Sequence, residues 1–330
     1  MPRKPYILVA RQLGGIGDVI ALSCVFRGLH EKFPGHTLKC VTANIYLAGA
    51  LTDIAEHNPY IDEIIVIEPY DGCSTRTKEV WNQYYGNCPN IEAELLWQKA
   101  DMAFCLNTAC VDYEWEAMKS EHGIEKPRYQ IWCEAVGVTP SSYAPIYKIT
   151  KAEQTIAKGV FDKRGFTGKP IVGVGCAACD SKRGIPLDKT AEICDSLKKA
   201  GAIPVTIDAT LQIPGVESII GTRLRDLMPL IKLMDAMITV DSGLLHMAGA
   251  VGTPVIGIFG PTDQRMRMGT YLGTATDSRK LMHCAPCWYG YHCLRDVDPS
   301  KHFECLKKIK SDIIVEETLR WLKRAGKLDS

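Results

Sequence analysis

Four groups of residues in this 330-residue chain are of types, and at spacings, that can do chemistry. The first is Asp241-Ser242-Gly243-Leu244 with His246 two positions on. Asp241 or Ser242 supplies N-cap chemistry to a helix opening at Gly243. Such an opening offers N–H groups and a positive dipole end, and small residues let a ligand come close to the backbone. Phosphate is the chemistry this corner suits, and His246, about one turn in, adds a donor. The second group is Lys182-Arg183, ahead of a helix beginning at Pro186. Basic side chains beside a helix N-terminus can clamp a phosphate-bearing ligand by charge-assisted bonds, and an exposed charged loop is the alternative. The third is Asp18, behind Gly14, Gly15 and Gly17. It is either a base for a hydroxyl proton or a charge complementing a helix dipole. The fourth is Cys284, Cys287, Cys293 and Cys305. A C-x2-C pair plus two further thiolates can close a tetrahedral structural metal site, and reduced cysteines packing a loop are the alternative.

The elements that must position these groups follow from apolar runs and their punctuation. Residues 6–10 read as a buried strand, 19–32 as a helix, 38–42 as a second strand, 44–56 as a helix and 61–67 as a third strand. That is βαβαβ, a mononucleotide-binding half-fold. Residues 100–106 form another strand and 128–136 a helix ended by Gly137. Trp81, Tyr84 and Tyr85 lie in an irregular stretch that lines an acceptor pocket or covers a core edge. A second half-fold opens with a strand at 170–175, a helix at 187–200, a strand at 202–207 ending before Asp208, and a helix at 225–234. Its centre is the strand 236–240, the short helix 244–251 and the strand 255–259. The glycines after the first strand do not fall as G-x-G-x-x-G, which argues against a dinucleotide-dependent dehydrogenase. Cys176-x-x-Cys179 has the spacing of a redox pair but no second feature to support it.

Two tracts carry a resemblance. D-S-G-x-x-H-x-A-x-A-x-G-T-P-x-x-x-x-F-G-P-T, from Asp241 to Thr262, and L-G-G-I-G-D-V-I around Asp18 resemble the signatures of glycosyltransferase family nine, the heptosyltransferase-like enzymes. The resemblance implies an α/β GT-B fold: two Rossmann-like domains with parallel sheets and an interdomain cleft. It implies an N-terminal acceptor-side domain over 1–155 and a nucleotide-sugar-binding domain over 165–310, with a cysteine-rich insertion near 283–305. The helix of 311–330 either crosses back to the first domain, as last helices of this class do, or stays on the second. Position by position, Asp18 would be the general base, beside an acceptor-side loop carrying Gly15 and Gly17. Lys182, Arg183, Asp241, Ser242, Gly243, Leu244 and His246 would hold the donor, with Asp241 positioning sugar or acceptor. Gly184-Ile185 stands where the family has a tryptophan, with one residue extra, so this loop departs from the pattern. The cysteine tract resembles the iron-binding insertion of autotransporter heptosyltransferases, so zinc or iron is its expected structural metal.

The implied reaction is inverting, metal-independent transfer of a heptose or hexose from a nucleotide-diphosphate sugar to an acceptor hydroxyl. ADP-heptose is the family's commonest donor; the acceptor is a glycolipid such as lipopolysaccharide core, a protein side chain or modified nucleic acid. Two other classes compete: a nucleotide-sugar-binding protein without transfer activity, and a UDP-sugar epimerase built on two similar halves. Net charge is +1, with 46% hydrophobic and 23% charged residues, which suits a soluble globular chain and gives no bulk attraction to nucleic acid. No apolar run approaches the ~20 residues that span a bilayer. Met1-Pro-Arg-Lys-Pro leads into a strand without a signal-peptide pattern, so the expected location is cytoplasmic. The 14 cysteines are then expected to be reduced. A homo-oligomer is compatible with all of this.

Overall fold

A computed structural model describes residues 4–11, 15–43, 53, 56–67, 99–106, 109–110, 113, 116–117, 125–166, 168–178, 183–207, 212–287 and 304–329. The helix read over 44–56, the aromatic residues 81, 84 and 85, Cys179, Lys182, Asp208 and Cys293 lie outside these, apart from residue 53 and residue 56 of that helix. The chain divides into two compact units: Met1–Lys119 with Arg128–Lys148, and Ser120–Pro127 with Ile149–Ser330.

The first unit contains β1 (Tyr6–Arg11), α1 (Ile16–Ala21), α2 (Ser23–Lys32), β2 (Thr37–Ala43), β3 (Glu63–Ile67), β4 (Met102–Cys105) and α3 (Arg128–Ala135). Its strands are all parallel, in the order β3-β2-β1-β4. Tyr-Ile-Leu-Val-Ala-Arg of β1 is buried at every position, as a central parallel strand covered on both faces must be. Alternation divides it: Ile7 and Val9 join the cluster of Cys24, Phe26, Leu29 and Trp132, whereas Tyr6, Leu8 and Ala10 pack with Val41 on the other face. The helix read over 19–32 is two helices meeting at Leu22, whose N–H reaches the carbonyls of Asp18 and Ile20. Where the chain leaves this unit, the Lys148 N–H donates to the His57 carbonyl (2.9 Å) and the Tyr147 ring stacks on His57 at 4.6 Å.

The main run of the second unit begins at Ile149, ahead of the start at 165 expected from the sequence. Thr150 caps α4 (Lys151–Lys163) with a reciprocal capping box to Glu153, so residues 151–163 form a helix of this unit and the sequence-read boundary at 155 falls within it. The unit continues with β5 (Ile171–Gly175), α5 (Leu187–Lys199), β6 (Ile203–Thr206), β7 (Glu217–Ser218), α6 (Leu224–Lys232) and β8 (Ala236–Val240). It then runs through α7 (Gly243–Val251), β9 (Val255–Phe259), α8 (Gln264–Arg267), β10 (Gly273–Asp277), α9 (Glu304–Lys308) and α10 (Ser311–Arg324). The sheet is parallel throughout, in the order β10-β9-β8-β5-β6-β7. The last helix, α10, belongs to the second unit. It packs on α5 and against β8, β9 and β10, and buries Ile314, Val315, Thr318 and Leu322. That is where its apolar stripe finds cover. Lys189 of α5 donates to the carbonyls of Lys307 (2.6 Å) and Ile309, which ties down the C-terminal end of α9.

Candidate active site

In each sheet the strand order reverses at one place: between β1 and β4 in the first, and between β5 and β8 in the second. Open α/β sheets bind ligands outside the carboxyl ends of the strands at such a reversal. Asp18 sits at the first, and Arg183 and the residues from Asp241 to His246 at the second.

In the first unit Asp18 lies in the opening turn of α1, just beyond β1. Its backbone N–H donates to the Gly15 carbonyl (3.0 Å), and its Oδ2 accepts from the Gly15 N–H (3.3 Å). Two guanidiniums converge on the carboxylate: Arg128, which opens α3, lies 3.1 Å from Oδ1, and Arg11, which ends β1, lies 3.5 Å from Oδ2. Arg11 is 6% exposed, donates to the Leu106 carbonyl at 2.8 Å beyond β4, and stacks over the Trp132 ring at 5.0 Å. The carboxylate is therefore charge-paired and held in one orientation by elements far apart in sequence. Gly17 is buried in the same turn; Gly15 is exposed, with open space where a side chain would start. Sequence reasoning missed both arginines. Arg11 had left one signal, a charge closing an apolar strand, since a buried charge needs a partner; Arg128 left none.

In the second unit the loop after β5 and the turn after β8 flank the reversal, and they contribute Arg183 and Asp241. Asp241 is 8% exposed. Its Oδ2 is 3.4 Å from Nε of Arg267, on α8, and 3.9 Å from Arg183. Burial pushes this carboxyl up, but Arg267 and Arg183, helped by His246 and the Thr262 hydroxyl, outweigh it and hold it below the ordinary aspartate value. Ser242 is the N-cap of α7, yet its hydroxyl faces that of Thr239 at 3.2 Å and does not cap the helix. Leu244, in the first turn, lies over the end of β5, and only glycine at 175 allows it: a Cβ there would be 2.3 Å from the Leu244 side chain. Gly243 opens α7, and Gly252 closes it in the left-handed conformation at φ 78°. His246 meets Tyr271, with Nδ1 2.6 Å from the phenol oxygen.

The arginines of the loop that follows the motif are mostly neutralised by its own acids. Arg265 binds Asp263 at 2.7 Å, Arg279 binds Asp277 at 2.7 Å, and Gln264 donates to Asp277 at 3.0 Å. Tyr271 is thus the residue that the structure adds, and the fold brings Arg267 and Thr262, both legible in the sequence, up to Asp241. Lys182 lies outside the described residues.

The cysteine tract is described in part. Cys305 is buried on α9, and a Cβ at Gly260 would come within 2.8 Å of its sulfur. Cys287 donates its N–H to the Pro261 carbonyl (2.8 Å), and Cys284 packs against the core of the unit. Cys287 and Cys305 therefore border the loop that follows β9. Among the described residues, however, no three histidine, cysteine or carboxylate side chains gather into a set that could hold a metal ion.

Two parallel α/β units, each carrying charged residues at its reversal point, define the GT-B class of fold. Residues 102–290, more than half of the chain, match glycosyltransferase family 9 (heptosyltransferase), and the chain belongs to that family. A lipooligosaccharide heptosyltransferase 2 of Campylobacter jejuni is 28% identical over 108 residues, 32% of this chain. The chain spans about a third (31%) of that relative's length. The fold matches a family 9 glycosyl transferase of Veillonella parvula with a TM-score of 0.69 at 16% identity, covering 97% of both chains. It also matches TibC of enterotoxigenic E. coli, an iron-containing dodecameric heptosyltransferase solved with ADP-D-beta-D-heptose. That match has a TM-score of 0.62 at 14% identity and covers 98% of this chain and 77% of TibC. Among the described residues no helix is long and apolar enough to cross a membrane.

Proposed function

We propose that this chain is a glycosyltransferase that moves a sugar from a nucleotide-diphosphate donor to an acceptor hydroxyl with inversion. The observation that carries the reading is the corner at the second reversal point. There an uncapped helix opening, His246 and Arg183 surround Asp241, a carboxylate already paired with cations. The helix opening and the basic loop of Lys182 and Arg183 receive the diphosphate, and stabilise the negative charge that develops as the anomeric bond breaks. Ser242, Gly243 and Leu244 line the approach, and Asp241 keeps the arginines in place and positions the sugar.

Asp18 takes the proton of the attacking hydroxyl, and Arg11 and Arg128 hold its carboxylate in register for that transfer. Cationic side chains and N–H groups suffice for the leaving group, so no metal takes part in the step. ADP-heptose is the donor first tested, as the ligand named with the TibC structure. The acceptor is a saccharide, as the name of the Campylobacter relative suggests, or a protein. We place the enzyme in the cytoplasm, compatible with a homo-oligomer. The zinc or iron reading of Cys284, Cys287, Cys293 and Cys305 rests on the C-x2-C spacing, since the three described thiolates do not gather into a metal-binding set.

A thermal-shift panel of ADP-, UDP-, GDP- and dTDP-sugars against wild type and His246→Ala tests the donor site. One nucleotide class should stabilise the wild type, by about 2.7 kcal/mol at a hundredfold excess over Kd, and the variant should lose most of that shift. A nucleotide that stabilises both proteins equally would remove the donor site from this corner. Acceptor screening then uses Asp18→Asn as the inactive control. Donor binding without transfer to any acceptor class would favour a binding protein, and interconversion of the donor's sugar an epimerase.

A further inference from the structure

His246 is proposed as a donor-site residue, and what fixes its imidazole is not a neighbour in sequence. Tyr271, 25 residues on and 8% exposed, sets its hydroxyl 2.6 Å from Nδ1, and the two rings meet edge to face at 5.6 Å and 84°. The phenol is placed from both sides. The Tyr271 backbone N–H donates to the Met268 carbonyl (2.8 Å) at the turn that follows α8, which anchors the residue on one side. On the facing side it lies over Gly249, one turn beyond His246 on the same face of α7. A Cβ at position 249 would come within 2.6 Å of ring atoms Cδ1 and Cγ and 2.8 Å of Cδ2, so any larger residue would push the ring away.

From this geometry we infer that Tyr271, seated on Gly249, is a positioning residue that fixes the tautomer and orientation of His246 for the donor. A phenol is a far weaker base than a neutral imidazole is an acceptor. At neutral pH the hydroxyl therefore donates to Nδ1, and the ring proton resides on Nε2. Whatever group faces the other edge of the ring then meets an N–H donor, the polarity that a phosphate or sugar oxygen requires. Glycine at 249 and tyrosine at 271 act as a pair: one provides room and the other the hydrogen bond. This inference rests on the reading of His246 as a donor residue, and the test separates the two.

The test uses the full chain labelled with ¹⁵N, and ADP as the probe. Long-range ¹H–¹⁵N spectra report the tautomer of each imidazole, and His246→Ala identifies the signal. Wild type should show His246 with its proton on Nε2. Tyr271→Phe, which keeps the ring and removes only the hydroxyl, should mix the two tautomers. It should also weaken ADP about three- to tenfold, the worth of one neutral hydrogen bond. Gly249→Ala should reproduce both effects by displacing the ring. A Tyr271→Phe protein with the wild-type tautomer, or with a shifted tautomer and unchanged ADP affinity, would overturn the inference. If His246→Ala itself binds ADP as wild type does, the donor reading of His246 fails instead, and the tautomer measurement in the absence of ADP still decides the Tyr271–His246 link.

Discussion

Replacing Asp241 with asparagine keeps the shape of the side chain and removes its charge, which leaves Arg267 buried and Arg183 half-buried opposite a neutral amide. Removing one partner of a buried pair typically costs about 3–5 kcal/mol. Here the closest approach is 3.4 Å, longer than an ideal charge-assisted bond, and Arg183 is partly in solvent. The expected loss at pH 7 is therefore at the lower end, about 2–3 kcal/mol, still a large share of the ~5–15 kcal/mol that a domain has. The pH dependence carries a sign. Because the folded carboxyl is held below its usual value, the unfolded chain binds the proton more readily. The stability from this pair is complete above the unfolded value of about 3.9 and is lost as pH falls from there through the folded one. Urea unfolding of wild type and Asp241→Asn at pH 7 and at intervals down to pH 3 is the assay. The gap between the two proteins should be widest at neutral pH and should close in acid. A gap under about 0.5 kcal/mol at pH 7, or one of the same size at all pH values, would exclude charge pairing at Asp241 as a source of stability.

Other expectations can be checked directly. Asp18→Asn should lower the transfer rate by about 10²–10⁴-fold, the worth of a general base, while the nucleotide-induced thermal shift stays as in wild type. Arg128→Ala should cost about 1.5–3 kcal/mol in the same transfer assay, since it removes a hydrogen bond to a charged group, and double substitution with Asp18→Asn should show the two effects to be non-additive. Gly273→Ala should destabilise the protein by roughly 3 kcal/mol or more, because φ is +136° and a Cβ would be 2.0 Å from the Val255 carbonyl oxygen. Thermal denaturation reads that loss. Elemental analysis of the purified protein should find about one zinc or iron per chain if four thiolates hold one ion; Cys293→Ser should then release it, and a metal-free wild type would end the proposal.

Much of this was legible in the sequence because it is local. The strands Tyr6–Arg11, Ala236–Val240 and Val255–Phe259 are unbroken apolar runs of the kind that parallel sheets bury, and Asp241-Ser242-Gly243 announces a turn into a helix by its own chemistry. The partners of the site residues were not legible. Arg128 is 110 residues from Asp18, Tyr271 is 25 from His246, and Arg11 reaches Leu106 across the reversal between two strands. Such pairings come from the order of strands in a sheet, which no periodicity encodes. The break at Leu22 was hidden for the opposite reason: the apolar pattern runs straight through it, and only the backbone bonds of Asp18 and Ile20 mark the join. The descent from the first unit also hid its turning point, since Thr150 and Glu153 form a capping box inside a stretch that otherwise looks like a connector.

The division of the chain near residue 148, with a separate core on each side, has a thermodynamic consequence. Where the two units melt as separate transitions, a ligand held entirely by one unit adds its binding free energy to the melting of that unit alone. Calorimetry on the intact chain can therefore act as a map. A nucleotide bound through Arg183, Asp241 and His246 raises the transition of the second unit, an acceptor bound beside Asp18 raises that of the first, and the transition that moves identifies the side on which an unknown compound has landed.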